Sequence, residues 1–203
     1  MNPKVAGVVL AAGQATRMKG RLKQLLPCQG ETLVHRATRT ALEAKLSPVW
    51  VVVGAGAAQV RAAVSDLPVQ CLPNPRWAEG QSTSVTTAAR QLRASQVEAA
   101  IFFLADQPFV PPALVQRLIL TWQTCHAPII VPRIALQRSN PVLISSAIFP
   151  FLETLTGDQG ARALFDEYPP MEIIWNDPLA RAEIDTLEDY CQWCPDEAIG
   201  CSD

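Results

Sequence analysis

Val5-Ala6-Gly7-Val8-Val9-Leu10-Ala11-Ala12-Gly13-Gln14-Ala15-Thr16-Arg17-Met18-Lys19-Gly20-Arg21-Leu22-Lys23 runs from an unbroken apolar segment, through three small residues, into a basic loop. Residues 5–10 are apolar at successive positions and rich in valine, which is how a strand reads when helices cover both of its faces. Residues 49–53, 69–72, 99–104 and 129–131 repeat that pattern. Amphipathic stretches lie between them. Residues 31–46 place Leu33, Val34, Ala37, Ala41 and Leu42 at helical spacing, and residues 82–93 and 112–122 are similar. The pair Pro111-Pro112 suits a helix start. Strand and helix thus alternate, which predicts an α/β fold of three layers with a doubly wound, mostly parallel sheet. Ligands of such sheets bind beyond the carboxyl ends of the strands, so the loops that follow strands are expected to hold the chemistry.

Beyond Pro132 the alternation loosens. Residues 133–140 read as a polar loop, 141–144 as a short strand, 160–168 as a helix, 171–175 as a strand and 187–193 as a last helix. The expected organisation is one domain over residues 1–190 and a C-terminal tail over 191–203. A length of 203 residues, 49% hydrophobic and 18% charged, suits a folded chain with a substantial core. The net charge of -2 gives no global attraction to nucleic acid or an anionic membrane. No run is long enough to cross a membrane, and the apolar stretch after Lys4 is too short for a signal peptide. Six cysteines scattered in a chain of this size predict reduced thiols and a cytoplasmic location. Cys191, Cys194 and Cys201 lack a fourth ligand for a zinc site and read as incidental thiols in a frayed tail.

The basic loop carries the sharpest signal. Between Val5 and Gly30 there is no acidic residue, while Arg17, Lys19, Arg21 and Lys23 crowd together. The loop is neither a Walker loop nor a dinucleotide fingerprint. Ala11, Ala12 and Gly13 are nonetheless small enough to bring backbone N–H groups close to a ligand. Arg17 can grip phosphate oxygens as a fork, and Lys23 can place a point charge on them. A solvated basic loop over a tight turn fits the composition equally well.

Asp106 follows an apolar strand and is placed to hold Mg²⁺ against phosphates; it lies too far before Pro111 to cap the next helix. Asp185 opens Asp185-Thr186-Leu187-Glu188, which reads as a capping box and needs no metal to explain it. Gly80 and Ser84 open the helix over 82–93, where Ser82 would serve as an ordinary N-cap. Asp158 reads as the cap of the helix after Gly160. His35 and His126 have no acidic or thiol partners in sequence and receive no chemistry.

The first loop resembles the signature Leu-Ala-Ala-Gly-x-x-x-Arg-Met-Gly-x-x-Lys of the nucleotidyltransferases that attach a nucleotide to molybdenum cofactor. The resemblance is to the molybdenum cofactor cytidylyltransferases and their molybdopterin guanylyltransferase sisters. It continues through Asn74-Pro75-x-Trp77-x-x-Gly80-x-x-x-Ser84, Asp106-Gln107-Pro108, Asn140-Pro141-Val142-Leu143, Gly157-Asp158-x-Gly160-Ala161-Arg162 and Ile184-Asp185-Thr186-x-Glu188-Asp189. Lys19 stands where the signature has its glycine, so Lys23 lies one residue further from Arg17, a spacing closer to the guanylyl branch.

The resemblance implies a Rossmann-like nucleotidyltransferase fold and Mg²⁺ held by Asp106 and Asp185. It further implies a nucleotide held by Leu10, Ala11, Ala12, Gly13, Arg17, Lys23, Gly80 and Ser84. The reaction it implies is transfer of CMP from CTP to the phosphate of molybdopterin cofactor, with Arg17, Lys23 and Asp106 as the catalytic residues. Ala12, third in the signature's opening, points to CTP rather than GTP, and the product would pass to a molybdoenzyme. Two alternatives stay open: the same fold acting on another phosphorylated acceptor such as a sugar phosphate, and a nucleotide-binding accessory protein without turnover.

Overall fold

The computed structural model describes residues 4–14 and 21–197. Arg17, with the rest of the 15–20 stretch, and Cys201 lie outside them. The chain forms β1 (Val5–Ala11), β2 (Pro27–Cys28), β3 (Glu31–Thr32), α1 (Leu33–Glu43), β4 (Val49–Val53), α2 (Ala57–Ala63) and β5 (Gln70–Pro73). There follow α3 (Gln81–Arg93), β6 (Ala99–Leu104), α4 (Pro112–Cys125), β7 (Ile129–Ile134), β8 (Gln137–Arg138), β9 (Val142–Ser145), α5 (Phe149–Leu152), β10 (Met171–Trp175) and α6 (Leu187–Trp193).

The main sheet has the order β10-β7-β9-β6-β1-β4-β5, with β8 paired outside this path to β7. β1 runs parallel to both β4 and β6, β4 to β5, and β7 to β10. β9 runs against both of its neighbours. Strand alternation sorts the side chains into two cores. Val5, Val9, Val51, Ile101 and Phe103 face one side, where α1, α2 and α4 pack. Val8, Trp50, Val52 and Phe102 face the other, against α3 and α5. This is the three-layer, mostly parallel arrangement that two-sided apolar strands require.

Leu10 pairs with Leu104 on β6 and with Val52 on β4, so the three central strands end together. Their following loops therefore meet at one edge of the sheet. Gly54 follows β4 there, and a Cβ on it would lie 2.5 Å from Trp77 Cβ and 2.7 Å from the Ala12 carbonyl oxygen. Only a glycine lets those backbones approach so closely.

Four sequence expectations change. Residues 133–140 are not an open loop but the end of β7 and a hairpin to β8, whose turn residues Ala135 and Leu136 have φ of 48° and 65°. The helix expected over 160–168 is one 3-10 turn, Ala161–Leu164, because Leu164 is the only one of its four residues that is buried. Cys28 and Cys194 form a disulfide across 166 residues of sequence, so these thiols are not reduced; Cys191 is disulfide-bonded as well. The tail is not frayed where it is described: α6 runs through Trp193, and Tyr190 is fully buried with its hydroxyl donating to the Pro27 carbonyl at 2.7 Å.

The Cys28–Cys194 bond joins the segment after Lys23 to the segment after Asp185 through a small core of Leu26, Leu33, Ile184 and Tyr190. Closing a loop that long restricts the unfolded chain, and replacing both cysteines by alanine is expected to cost about 2–4 kcal/mol. Urea unfolding under oxidising conditions reads this as a lower midpoint, and an unchanged midpoint contradicts it.

Candidate functional site

Two backbone contacts assemble the site. Ala105 donates its N–H to the Leu10 carbonyl at 3.2 Å, which locks the end of β6 to the end of β1. Asp106 comes next in sequence. Its carbonyl accepts the Ile184 N–H at 3.0 Å, which draws the chain before α6 alongside it. Ile184 is fully buried in the small core, so Glu183 and Asp185 on either side of it face the cleft. Carboxylate oxygens of Asp106, Glu183 and Asp185 consequently lie within 4.8 Å of one another.

Lys23 meets this cluster from the 3-10 turn Lys23–Leu25. Its Nζ donates to Asp106 Oδ2 at 2.7 Å and to Asp185 Oδ1 at 2.6 Å. The neighbouring Gln24 is buried, and its Nε2 lies 3.3 Å from each of the carbonyls of Ala11, Gly13 and Ala55. That amide ties the loop after β1 to the loop after β4 and fixes where Lys23 projects.

The charges are not balanced. Burial works to lower the pKa of Lys23, but Asp106 and Asp185 overcome it and hold the ammonium above its ordinary value. Glu183 is pushed up, first by the protein packed around it and then by the Asp106 and Asp185 carboxylates. By surface area Glu183 remains open to solvent, so the crowding is one-sided. Asp106 Oδ1 is buried and has no hydrogen-bond partner among the described residues. An acceptor left bare among two more carboxylates is what a hard cation with oxygen ligands satisfies, so the donor set suits Mg²⁺ or Mn²⁺.

One cleft of about 930 Å³ gathers Leu10, Ala11, Ala12, Gly13 and Lys23 from the first loop. Gly80 and Ser84 from the start of α3 line it too, as do Asp106 and Asp185. Ser84 accepts the Asn74 amide at 3.0 Å, which leaves its own hydroxyl proton for another acceptor. The N-cap of α3 is Gly80 rather than Ser82, and it has no side chain to offer. Asp158 supplies what is missing by accepting the Gln81 N–H at 3.3 Å, so it caps α3 and not the turn that follows it in sequence. Asp185 is not a cap either. Thr186 caps α6, in a reciprocal capping box with Asp189. Glu183 carried no assignment in the sequence, although Glu183-Ile184-Asp185 alternates acid, apolar, acid. His35 has gained an acidic partner, Asp66 at 3.0 Å, but it does not line the cleft.

Residues 7–171 match the family described as the MobA-like NTP transferase domain. The chain belongs to this family. It is 31% identical over 195 residues to nicotine blue oxidoreductase of Paenarthrobacter nicotinovorans, a match covering 92% of this chain and 94% of that protein. It is 30% identical over 172 residues to the purine catabolism protein PucB of Bacillus subtilis strain 168, covering 80% and 81%. Among solved structures, Rv0371c of Mycobacterium tuberculosis H37Rv superposes with a TM-score of 0.83 at 27% identity, over 96% of this chain and all of that one. Rv0371c is also known as a manganese complex, with a TM-score of 0.76 at 27% identity over 95% and 98% of the two chains.

Lys23 occupies oxygens that a cation at the carboxylate cluster would need. Lys23→Met is therefore expected to bind Mn²⁺ about tenfold more tightly in the absence of nucleotide, the equivalent of one charged hydrogen bond. Calorimetric titration checks it, and unchanged affinity means the ammonium does not compete. Glu183 supplies a second expectation. Its folded pKa is raised, so its contribution favours folding below the unfolded value and is lost as pH rises through the folded one. Glu183→Gln should thus raise Tm at pH 7 in metal-free buffer, with the gain shrinking in acid, and should weaken Mn²⁺ binding.

Proposed function

We propose that this chain transfers a nucleoside monophosphate, CMP from CTP, to the phosphate of molybdopterin cofactor and releases pyrophosphate. The observation that carries this reading is the meeting of Lys23 from the small-residue loop with Asp106, Glu183 and Asp185 beyond β6. Family membership supports nucleotidyl transfer, and the sequence resemblance supports the choice of acceptor.

An oxygen of the acceptor phosphate forms a bond to the α-phosphorus, the bond from that phosphorus to the β-bridging oxygen breaks, and pyrophosphate leaves with the electron pair. A phosphate nucleophile is already ionised near neutrality, with a second pKa of about 6, so no general base is required. The described residues lining the cleft include no histidine or cysteine, in keeping with that chemistry. Mg²⁺ held by Asp106 and Asp185, with Glu183 beside them, would neutralise phosphate charge. Backbone N–H groups from Leu10 to Gly13 cradle the triphosphate, and Arg17 and Lys23 stabilise the departing pyrophosphate. Gly80, packed against the Gly157 carbonyl, holds the start of α3 beside the nucleotide, and Ser84 donates its free proton to it. Ala12 favours cytosine over guanine. We take residues 1–190 as the transferase domain and place the protein in the cytoplasm, where nucleoside triphosphates are abundant. No helix among the described residues is long and apolar enough to cross a membrane. The Cys28 and Cys194 sulfurs are buried, which denies an attacking thiolate the access that exchange needs.

The name of the Paenarthrobacter relative favours a second reading, oxidation or reduction of an organic substrate, for which a reduced nicotinamide serves as the probe. One set of assays separates the two. Purified protein with Mg²⁺, molybdopterin cofactor and α-labelled CTP or GTP should release pyrophosphate and label the acceptor, with CTP preferred. Asp106→Asn should lose most of that activity, by a hundredfold or more if a charged contact of about 3 kcal/mol is removed. Preference for GTP moves the chain to guanylyl transfer. No pyrophosphate from either nucleotide, together with turnover of a reduced nicotinamide, replaces the transferase reading with the redox one.

A further inference from the structure

Arg162 stands at the mouth of the cleft with its charge unspent. Among the described residues its guanidinium makes no hydrogen bond and no ion pair, and it is exposed. It lines the same cleft as Asp106, Glu183 and Asp185. Of the described residues lining the cleft, only Lys23 and Arg162 are cationic. Lys23 is already committed to the carboxylates and the triphosphate, and a second phosphorylated substrate brings charge that nothing else in the described lining can meet.

The turn that carries Arg162 is held firmly at its base. Ser82 donates its N–H to the Gly157 carbonyl at 3.3 Å, and Gln81 donates to Asp158. Gly80, at φ of 113°, packs so closely that a Cβ on it would lie 2.5 Å from the Gly157 oxygen, and a Cβ on Gly160 would lie 2.8 Å from Gln81 Oε1. The loop is thereby docked on the start of α3, beside the residues assigned to the nucleotide. From that base Arg162 lines the cleft that Glu183 and Asp185 also line. An arginine there has the planar fork that suits a phosphomonoester, and being exposed it pays no burial cost before the ligand arrives.

We propose that Arg162 binds the phosphate of the acceptor, a phosphomonoester dianion, and so orients the attacking oxygen toward the α-phosphate. The proposal rests on the nucleotidyltransferase reading, and its test is separable from it. The enzyme is first saturated with Mg²⁺ and a non-hydrolysable CTP analogue, and phenyl phosphate is then titrated by calorimetry. Wild type should bind phenyl phosphate, Arg162→Ala should bind it at least tenfold more weakly, and Arg162→Lys should fall between them because it keeps the charge without the fork. Affinity for the CTP analogue measured beforehand should be the same in all three proteins. With molybdopterin cofactor as substrate, Arg162→Ala should raise the acceptor KM and leave the CTP KM unchanged. Equal loss of CTP-analogue affinity would make Arg162 a triphosphate ligand and overturn the proposal. So would unaltered phenyl phosphate binding in Arg162→Ala, or none in wild type. Failure of wild type to bind the CTP analogue at all counts against the transferase reading itself.

Discussion

Three carboxylates converge at the end of the central strand, and one ammonium holds two of them together. Unit charges 4 Å apart interact by about 4 kcal/mol at an effective dielectric of 20, so the cluster would repel itself strongly without Lys23. The fold bears this through covalent and hydrogen-bonded ties on both sides. Ile184 is hydrogen-bonded to the Asp106 carbonyl, Tyr190 to the Pro27 carbonyl, and Cys28 is joined to Cys194. The first ties the Asp185 segment to Asp106, and the other two tie it to the Lys23 segment. The carboxylates thus stay close even though their charges oppose it.

The sheet supplies the rest of the placement. Because β1, β4 and β6 run parallel and end in register, their following loops share one edge, and their side chains need little length to meet. Gln24 adds rigidity where the first loop returns, by offering one amide to three carbonyls that would otherwise compete for water. The start of α3 is stiffened from outside by Asp158, since Gly80 has no side chain to cap it. Rigidity around a cleft favours catalysis by positioning and charge, the mode that phosphoryl chemistry demands.

Strands β1, β4, β6 and β7 were readable because each is buried on both faces, so nearly every residue carries the signal. Helix α2 was not, since Val60 is its only buried residue. The direction of β9 was also hidden, because four apolar residues look alike in either sense. Ala135 and Leu136 adopt a turn that usually announces itself by glycine or asparagine. The cap of α6 was misplaced by one residue because both Asp185-x-x-Glu188 and Thr186-x-x-Asp189 fit the pattern of a capping box, and only the fold chooses between them. The disulfide joins cysteines 166 residues apart, which spacing alone cannot reveal. Glu183 needed knowledge that Ile184 points inward. The composition of the first loop did not choose between a phosphate cradle and a solvated basic turn; the resemblance to a family signature is what singled out Lys23.

The central claim is that the Asp106–Glu183–Asp185 cluster takes a divalent cation when nucleotide arrives, with Lys23 passing from carboxylate to phosphate. Anomalous diffraction from crystals grown with Mn²⁺ and a non-hydrolysable CTP analogue tests it directly. The account predicts a manganese peak in contact with both Asp106 and Asp185, and the Lys23 ammonium on a phosphate oxygen. Manganese bound elsewhere, or Lys23 still bridging the two aspartates beside bound nucleotide, would contradict it.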